Sequence, residues 1–129
     1  MSNLITFLRA RLDEDEEAAS AASPGPWHLN EEGDRVLAVD DITVAEAFAL
    51  SDRQLRATAK HIVRHDPARA LTDVEAKRGI LAVHRPYVPE PDQKCLGCAG
   101  GIQWERCPVL RALALAYADH PHHSQDWRL

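Results

Sequence analysis

The segment HRPYVPEPDQKCLGCAGGIQWERC, residues 84–107, decides how the second half of this chain folds. It offers few large apolar side chains for a core, and its Gly and Pro residues do not extend a helix or a strand. It also holds all three cysteines of the chain, as the pair Cys95 and Cys98 followed by Cys107. We therefore expect this segment to be ordered largely by a metal ion.

The cysteine spacing is typical of a metal knuckle, in which glycines let backbone N–H groups turn toward the sulfurs. Cys107 precedes Pro108 at a predicted helix start, where the positive end of the helix dipole favours the thiolate that zinc needs. Two other interpretations stay open: three reduced, partly buried thiols, or a redox-active CxxC. The redox interpretation fits less well, because a thioredoxin-like pair opens a helix and this one precedes two glycines.

A fourth ligand has to come from the seven histidines or from an acid. His84 has the best position, because it ends a predicted helix on its core-facing side and a loop joins it to Cys95. The histidines from His120 onward lie past the helix that Cys107 begins, and a continuous helix would hold His120 about 20 Å from Cys107. The alternative role for His84 is a helix-terminal residue bonded to the last carbonyls. The predicted ligands of one structural zinc ion are Cys95, Cys98, Cys107 and His84.

Four helices and a small antiparallel sheet are predicted around this site, which is an α+β fold class. Apolar residues at helical spacing predict the first helix, with Ser2 as its cap, and the SPGP sequence at residues 23–26 ends it because proline cannot continue a helix. Three short strands with turns between them predict a meander. The predicted division is an N-terminal helix over 1–22, a sheet over 27–47, a helical pair over 51–84, a zinc-binding loop over 85–107 and a C-terminal helix over 108–119.

Local signals mark where the paired helices begin. Ser51 and Gln54 form a capping box, and Asp66 with Pro67 supplies a cap and a first helical position. Gly79 weakens the prediction for the second helix of the pair, since it costs about 1 kcal/mol against Ala. We expect a single domain, residues 1–129, with one common core that includes Leu8, Leu12, Ile62, Leu71, Val74, Leu81, Leu110 and Leu113.

The charge is unevenly distributed along the chain. The net charge of −5 argues against a protein held on nucleic acid by bulk electrostatics. Residues 53–85 nevertheless carry about +5 and the remainder about −10. Four basic residues repeat at helical spacing opposite an apolar stripe, so they are expected to be exposed. This basic face, a possible contact for nucleic acid or a partner, consists of Arg53, Arg56, Lys60 and Arg64.

Several segments together resemble a family of small actinobacterial and actinophage proteins of unknown function. They are LITFLRARLDEDE near the start, SPGPWH from Ser23, HIVRHDPARALTDVEAKRGIL from His61 and the cysteine segment ending in CPVLRALALAYADHP. The PGPW, HDPAR and CxxC…CP motifs carry most of the resemblance. It implies a bacterial or phage host range, and it supplies no activity, ligand or catalytic residue.

These observations favour a non-catalytic, zinc-stabilised interaction or adaptor module that contacts an unknown protein partner. No complete catalytic constellation is present, so an enzyme is disfavoured without being excluded. The alternatives are a nucleic-acid-binding regulator that uses the basic face and a hydrolase with an open zinc site. No run of residues predicts a signal peptide or a membrane helix, and an odd number of cysteines suits a reducing compartment. We therefore predict a cytoplasmic protein with no membrane contact.

Overall fold

A computed structural model describes residues 3–129, and it confirms the predicted α+β class. Ser2, the predicted cap of the first helix, lies outside the described residues. None of the helices in this range combines the length and the apolar character that a bilayer crossing requires. The main elements are α1 (Asn3–Ala21), β1 (His28–Leu29), β2 (Arg35–Leu37), β3 (Thr43–Glu46), α2 (Asp52–Arg64), α3 (Pro67–Val83) and α4 (Pro108–Leu115).

The chain divides into two compact units. The first runs up to Glu14 and resumes over Val74–Leu129, and the second covers Asp15–Asp73. The helices α1 and α3 contribute residues to both units. Each unit has its own buried apolar cluster, and each is described separately below.

The second unit contains the three-stranded antiparallel sheet, in the order β1-β2-β3, as the meander prediction required. Val36 of β2 is fully buried and packs with Ala47 and with Ala59 of α2. The α2 helix starts as predicted, because the Ser51 side chain accepts a hydrogen bond from the Gln54 backbone N–H at 3.1 Å. The packing of Ala59 on Val36 shows that the hydrophobic face of α2 covers the sheet.

The start of α3 is held by Asp66, whose side chain is buried although it is a carboxylate. Its Oδ1 accepts from the Arg69 backbone N–H at 2.9 Å, which confirms the predicted cap. Its Oδ2 accepts from the Trp27 backbone N–H, also at 2.9 Å. One side chain therefore ties the turn after α1 to the beginning of α3.

The first unit is built on the start of α1. The apolar residues predicted from helical spacing there are almost completely buried, and they pack against the second part of α3 and against α4. Two cysteines and Trp104 complete this cluster. The α1 residues that contribute to it are Leu4, Ile5, Leu8 and Leu12.

The prediction of one common core was wrong for two residues. Ile62 packs against the cluster of the second unit, and Leu71 is 38% exposed. An apolar stripe shows that a helix buries one face, but it does not specify which neighbour covers that face. That all 129 residues form a single domain stays a prediction.

The C-terminal helix is shorter than the predicted range, since α4 ends at Leu115. The backbone continues in turns, with Tyr117 N–H donating to Ala114 O and Ala118 N–H to Leu115 O. These three-residue spacings belong to tighter turns than the α-helix. Pro121 further restricts the residue before it, so the chain cannot resume a helix there.

Gly79 lies within α3, where an added Cβ would meet no atom within 4 Å. Gly79→Ala is therefore expected to stabilise the protein by up to about 1 kcal/mol, because alanine loses less backbone entropy than glycine in a helix. Thermal unfolding of the two proteins measures this, and a lower melting temperature for the variant would contradict it.

Candidate metal centre

Four side chains from three parts of the first unit converge on one point. His84 follows the last residue of α3, Cys95 and Cys98 lie on the glycine-rich turn, and Cys107 directly precedes α4. Cys95 and Cys107 are buried, and the other two are half-buried. No other group of three or more His, Cys, Asp or Glu within residues 3–129 has this geometry.

The His84 ring presents Nδ1 to all three sulfurs. Its distances to Sγ of Cys95, Cys98 and Cys107 are 3.4, 3.5 and 3.4 Å. The sulfurs of Cys98 and Cys107 are 3.6 Å apart, so they are free thiols and not a disulfide. All four atoms lie within 4.8 Å of one another.

These separations can be compared with those that a tetrahedral ion demands. With zinc–sulfur bonds of about 2.3 Å and a zinc–nitrogen bond of about 2.05 Å, tetrahedral angles place nitrogen and sulfur about 3.6 Å apart and two sulfurs about 3.8 Å apart. The three nitrogen–sulfur distances and the Cys98–Cys107 sulfur distance are close to these values, and every other pair lies within 4.8 Å. The cluster is therefore compatible with a bound metal ion.

Backbone hydrogen bonds hold the cysteine turn in place. Cys95 N–H donates to Ile102 O at 2.8 Å, and Lys94 and Gln103 form an antiparallel bridge. Gly100 and Gly101 adopt φ values of 80° and 73°, a region that favours glycine, and so allow the chain to turn between Lys94 and Gln103. The turn therefore has a short hairpin as its scaffold.

The end of α3 is fixed to this hairpin by two further contacts. The buried Trp104 donates from its indole Nε1 to the His84 carbonyl at 3.1 Å, and Leu96 N–H donates to Arg85 O at 2.9 Å. The sequence did not predict this bond of Trp104, because its partner is a backbone carbonyl 20 positions earlier, which no motif marks.

Gly97 contacts the face of the His84 ring. A Cβ built on Gly97 would lie 2.8 Å from Nδ1 and 3.0 Å from two ring carbons. The sequence suggested that the glycines of the turn serve the orientation of N–H groups. The structure adds a steric reason, which is that the imidazole occupies the space of the missing side chain.

Gly97→Ala is therefore expected to displace the His84 ring and to weaken metal binding by at least about tenfold, since a shift of about 1 Å disrupts a coordination geometry that tolerates only about 0.2 Å. Competition with a chromogenic chelator measures the affinity. Gly79→Ala is the control for glycine substitution as such, because Gly79 lies within α3 and its added Cβ meets no atom within 4 Å. Equal affinity of Gly97→Ala and the wild type would contradict the expectation.

The cluster is unfavourable for ionised thiols when no cation is present. Burial, together with hydrogen bonds that the protonated Cys98 thiol donates to Cys107 and Cys95 and with the negative charge of those two sulfurs, raises the pKa of Cys98 to about 12. A divalent cation reverses this balance, because it stabilises the thiolates more strongly than they repel one another.

The C-terminal histidines take no part in the cluster. His120 accepts hydrogen bonds at Nδ1 from Arg11 Nη1 and from the His122 backbone N–H, both at 3.0 Å. Its ring also packs against Phe7. Distance along the chain had excluded His120 as a ligand, and the structure gives it a different role in packing.

The basic face lies on α2, in the second unit, and all four of its side chains are exposed as the spacing predicted. Arg56 pairs with Asp52 at 2.9 Å, an exposed pair four positions apart. The structure thus presents this face to solvent. Its contact with nucleic acid or with a partner stays a prediction.

Comparison with curated proteins and with solved structures found no match to this chain. A protein-family model does match, over residues 1–129, and it describes a family of unknown function. The match covers the N-terminal helix, the sheet, the helical pair and the metal-compatible cluster alike. By this match the chain belongs to the family of unknown function DUF6221.

Proposed function

We propose that His84, Cys95, Cys98 and Cys107 bind one structural zinc ion, and that the protein is a non-catalytic interaction module stabilised by it. The observation that carries this proposal is the convergence of one nitrogen on three sulfurs at 3.4 to 3.5 Å, with all four atoms within 4.8 Å of one another. Zinc is favoured over other divalent ions because a Cys₃His donor set with tetrahedral geometry is a common structural zinc site. Reduced thiols in such a site also agree with the predicted cytoplasmic location.

The donor set supports a structural role over catalysis. A catalytic zinc keeps one position open for water or substrate, and here His84 supplies the fourth protein ligand. The hydrolase that the sequence left open would need that position. The exposed side chains of Phe48 and Leu50 are available for contact with an unidentified protein partner.

Metal analysis of the purified protein tests the proposal directly. One zinc per chain is expected after purification without chelator. Replacement by Co²⁺ is expected to give the visible absorption of a tetrahedral site with thiolate ligands. A protein that is metal-free after such a purification and does not take up added zinc would overturn the proposal.

Acid is expected to release the metal. The raised pKa of Cys98 keeps this thiol protonated at neutral pH in the metal-free protein, so zinc must displace at least that proton. Lowering the pH favours the protonated, metal-free form, and each displaced proton weakens the apparent affinity about tenfold per pH unit. Chelator competition at several pH values between 6 and 8 measures this slope, and an affinity independent of pH would contradict it.

The basic face of α2 supports a second candidate function, nucleic-acid binding. Its four side chains are exposed, and Arg53, Lys60 and Arg64 have no ion-pair partner in the part of the chain that the structure describes. A titration of duplex DNA or RNA at several salt concentrations tests this function, with Arg53→Glu/Lys60→Glu as the variant. Binding that weakens with salt and is lost in the variant supports it, whereas no shift in either protein contradicts it.

A further inference from the structure

The first unit contains a cavity of about 280 Å³ beside the candidate metal centre. Three buried apolar side chains of the core, Ile5, Leu81 and Trp104, form part of its lining. Pro86, Pro89 and Tyr87 line it as well, and Tyr87 is 77% exposed. The volume lies near the lower end of the range for small-molecule sites, so it suits a small ligand and not a large cofactor.

Two arginines line the same cavity, Arg9 from α1 and Arg85 from the residue after His84. Neither guanidinium group has a hydrogen-bond or ion-pair partner among residues 3–129. Arg78 of α3 differs from them, because it pairs with Asp13 of α1 at 2.8 Å. The planar donor fork of an arginine matches a carboxylate or phosphate, and two unpaired forks at one cavity favour an anion there.

We propose that this cavity binds a small organic anion whose flat apolar body packs against Trp104 and Tyr87 while its acidic group pairs with Arg9 and Arg85. Binding of the apolar body is favourable because it removes Tyr87 and the apolar lining of the cavity from water. Glu90 is the one acid that lines the cavity, so the lining carries a net positive charge.

The shape of the cavity rests on the proposed function, because its lining residue His84 is also a proposed metal ligand and its carbonyl accepts a hydrogen bond from Nε1 of Trp104, another lining residue. A metal ion would hold His84 in place and thereby fix one side of the cavity. The zinc content of every sample is therefore measured beside binding. Zinc without binding overturns the cavity proposal alone, and binding without zinc overturns the proposed function alone.

The test compares two probes of the same shape on the full, metal-loaded chain: 2-naphthoate and the neutral 2-naphthalenemethanol. Calorimetric titration is expected to show one saturable site for naphthoate. In the double variant Arg9→Gln/Arg85→Gln, naphthoate affinity is expected to fall about tenfold, the effect of losing charge-assisted contacts of about 1.4 kcal/mol in total. The neutral alcohol is expected to change by less than about twofold, because it makes no ionic contact.

Two further variants are expected to strengthen naphthoate binding or to leave it unchanged. Glu90→Gln is expected to tighten naphthoate binding, since it removes the like charge at the cavity. Arg53→Gln removes an arginine that does not line the cavity, so it is the matched control and is expected to change nothing. Overturning results are a failure of naphthoate to saturate, or an equal affinity in the double variant. An oligoglutamate peptide that binds more tightly than naphthoate would assign the arginines to an acidic protein segment and overturn the proposal as well.

Discussion

Replacing Cys107 by Ser is expected to remove most of the zinc from the protein and to lower the melting temperature by more than about 10 °C. The apparent free energy of structural zinc binding is about 10 to 16 kcal/mol in small zinc domains, comparable to the entire stability of a typical domain. Cys107 is fully buried within the apolar cluster of the first unit, so the loss of the metal affects that cluster directly. Elemental analysis and calorimetric unfolding measure the two effects.

The matched controls separate metal loss from general damage. His84→Ala is expected to act in the same direction as Cys107→Ser, whereas His61→Ala removes an exposed histidine outside the cluster and is expected to keep the zinc. Where Cys107→Ser does not fold, removal of zinc from the wild type by a chelator gives the same comparison, and readdition of zinc is expected to restore the melting temperature. Full zinc content in both ligand variants would show that the ligands are wrong.

His120 is not one of the proposed ligands, but His120→Ala would still not be a neutral control. Its ring accepts from Arg11 and packs against Phe7, so its removal affects packing at the end of the chain while leaving the metal in place. Local sequence rules could not reveal this contact, because Arg11 and His120 are 109 positions apart.

Features set by neighbouring residues could be predicted from the sequence. The caps at Ser51 and Asp66, the end of α1 before the SPGP sequence and the three-strand meander follow from local hydrogen bonding and from proline geometry. The position of His84 beside the cysteines was also accessible, because the helix register placed it on the core-facing side at the end of α3. Because three cysteines already supplied sulfur ligands, a histidine in this position was the expected fourth ligand of the metal.

Features set by contact between distant segments could not be predicted in this way. The close approach of Gly97 to His84, and the bond from Trp104 to the His84 carbonyl, depend on how the cysteine hairpin packs against α3. The separation of Ile62 from the other predicted core residues has the same origin. Predicting any of these contacts requires knowing which apolar faces pack together. The periodicity of apolar residues shows only that a helix has an apolar face.

Asp66 joins two of the motifs that carried the family resemblance, PGPW and HDPAR. Its Oδ2 accepts from the Trp27 N–H and its Oδ1 from the Arg69 N–H. Gly25 permits this contact, because a Cβ there would lie 2.7 Å from Oδ2 and 2.9 Å from the Ala68 Cβ. The two motifs therefore form one structural joint within the second unit, which gives a physical reason for their residue types.

Asp66→Ala is accordingly expected to destabilise the second unit by about 3 kcal/mol, the sum of a lost helix cap and a backbone N–H of Trp27 left without an acceptor. Gly25→Ala tests the same joint from the other side and is expected to destabilise it too, since the Asp66 carboxylate and Ala68 both occupy the space of the new methyl group.

Asp73→Asn, an exposed change on the same helix, is the matched control and is expected to alter stability by less than about 0.5 kcal/mol. Denaturant unfolding measures all three, and the zinc content is expected to stay at the wild-type level because the metal ligands belong to the first unit. An Asp66→Ala protein as stable as the Asp73→Asn control would show that the joint contributes nothing to the fold.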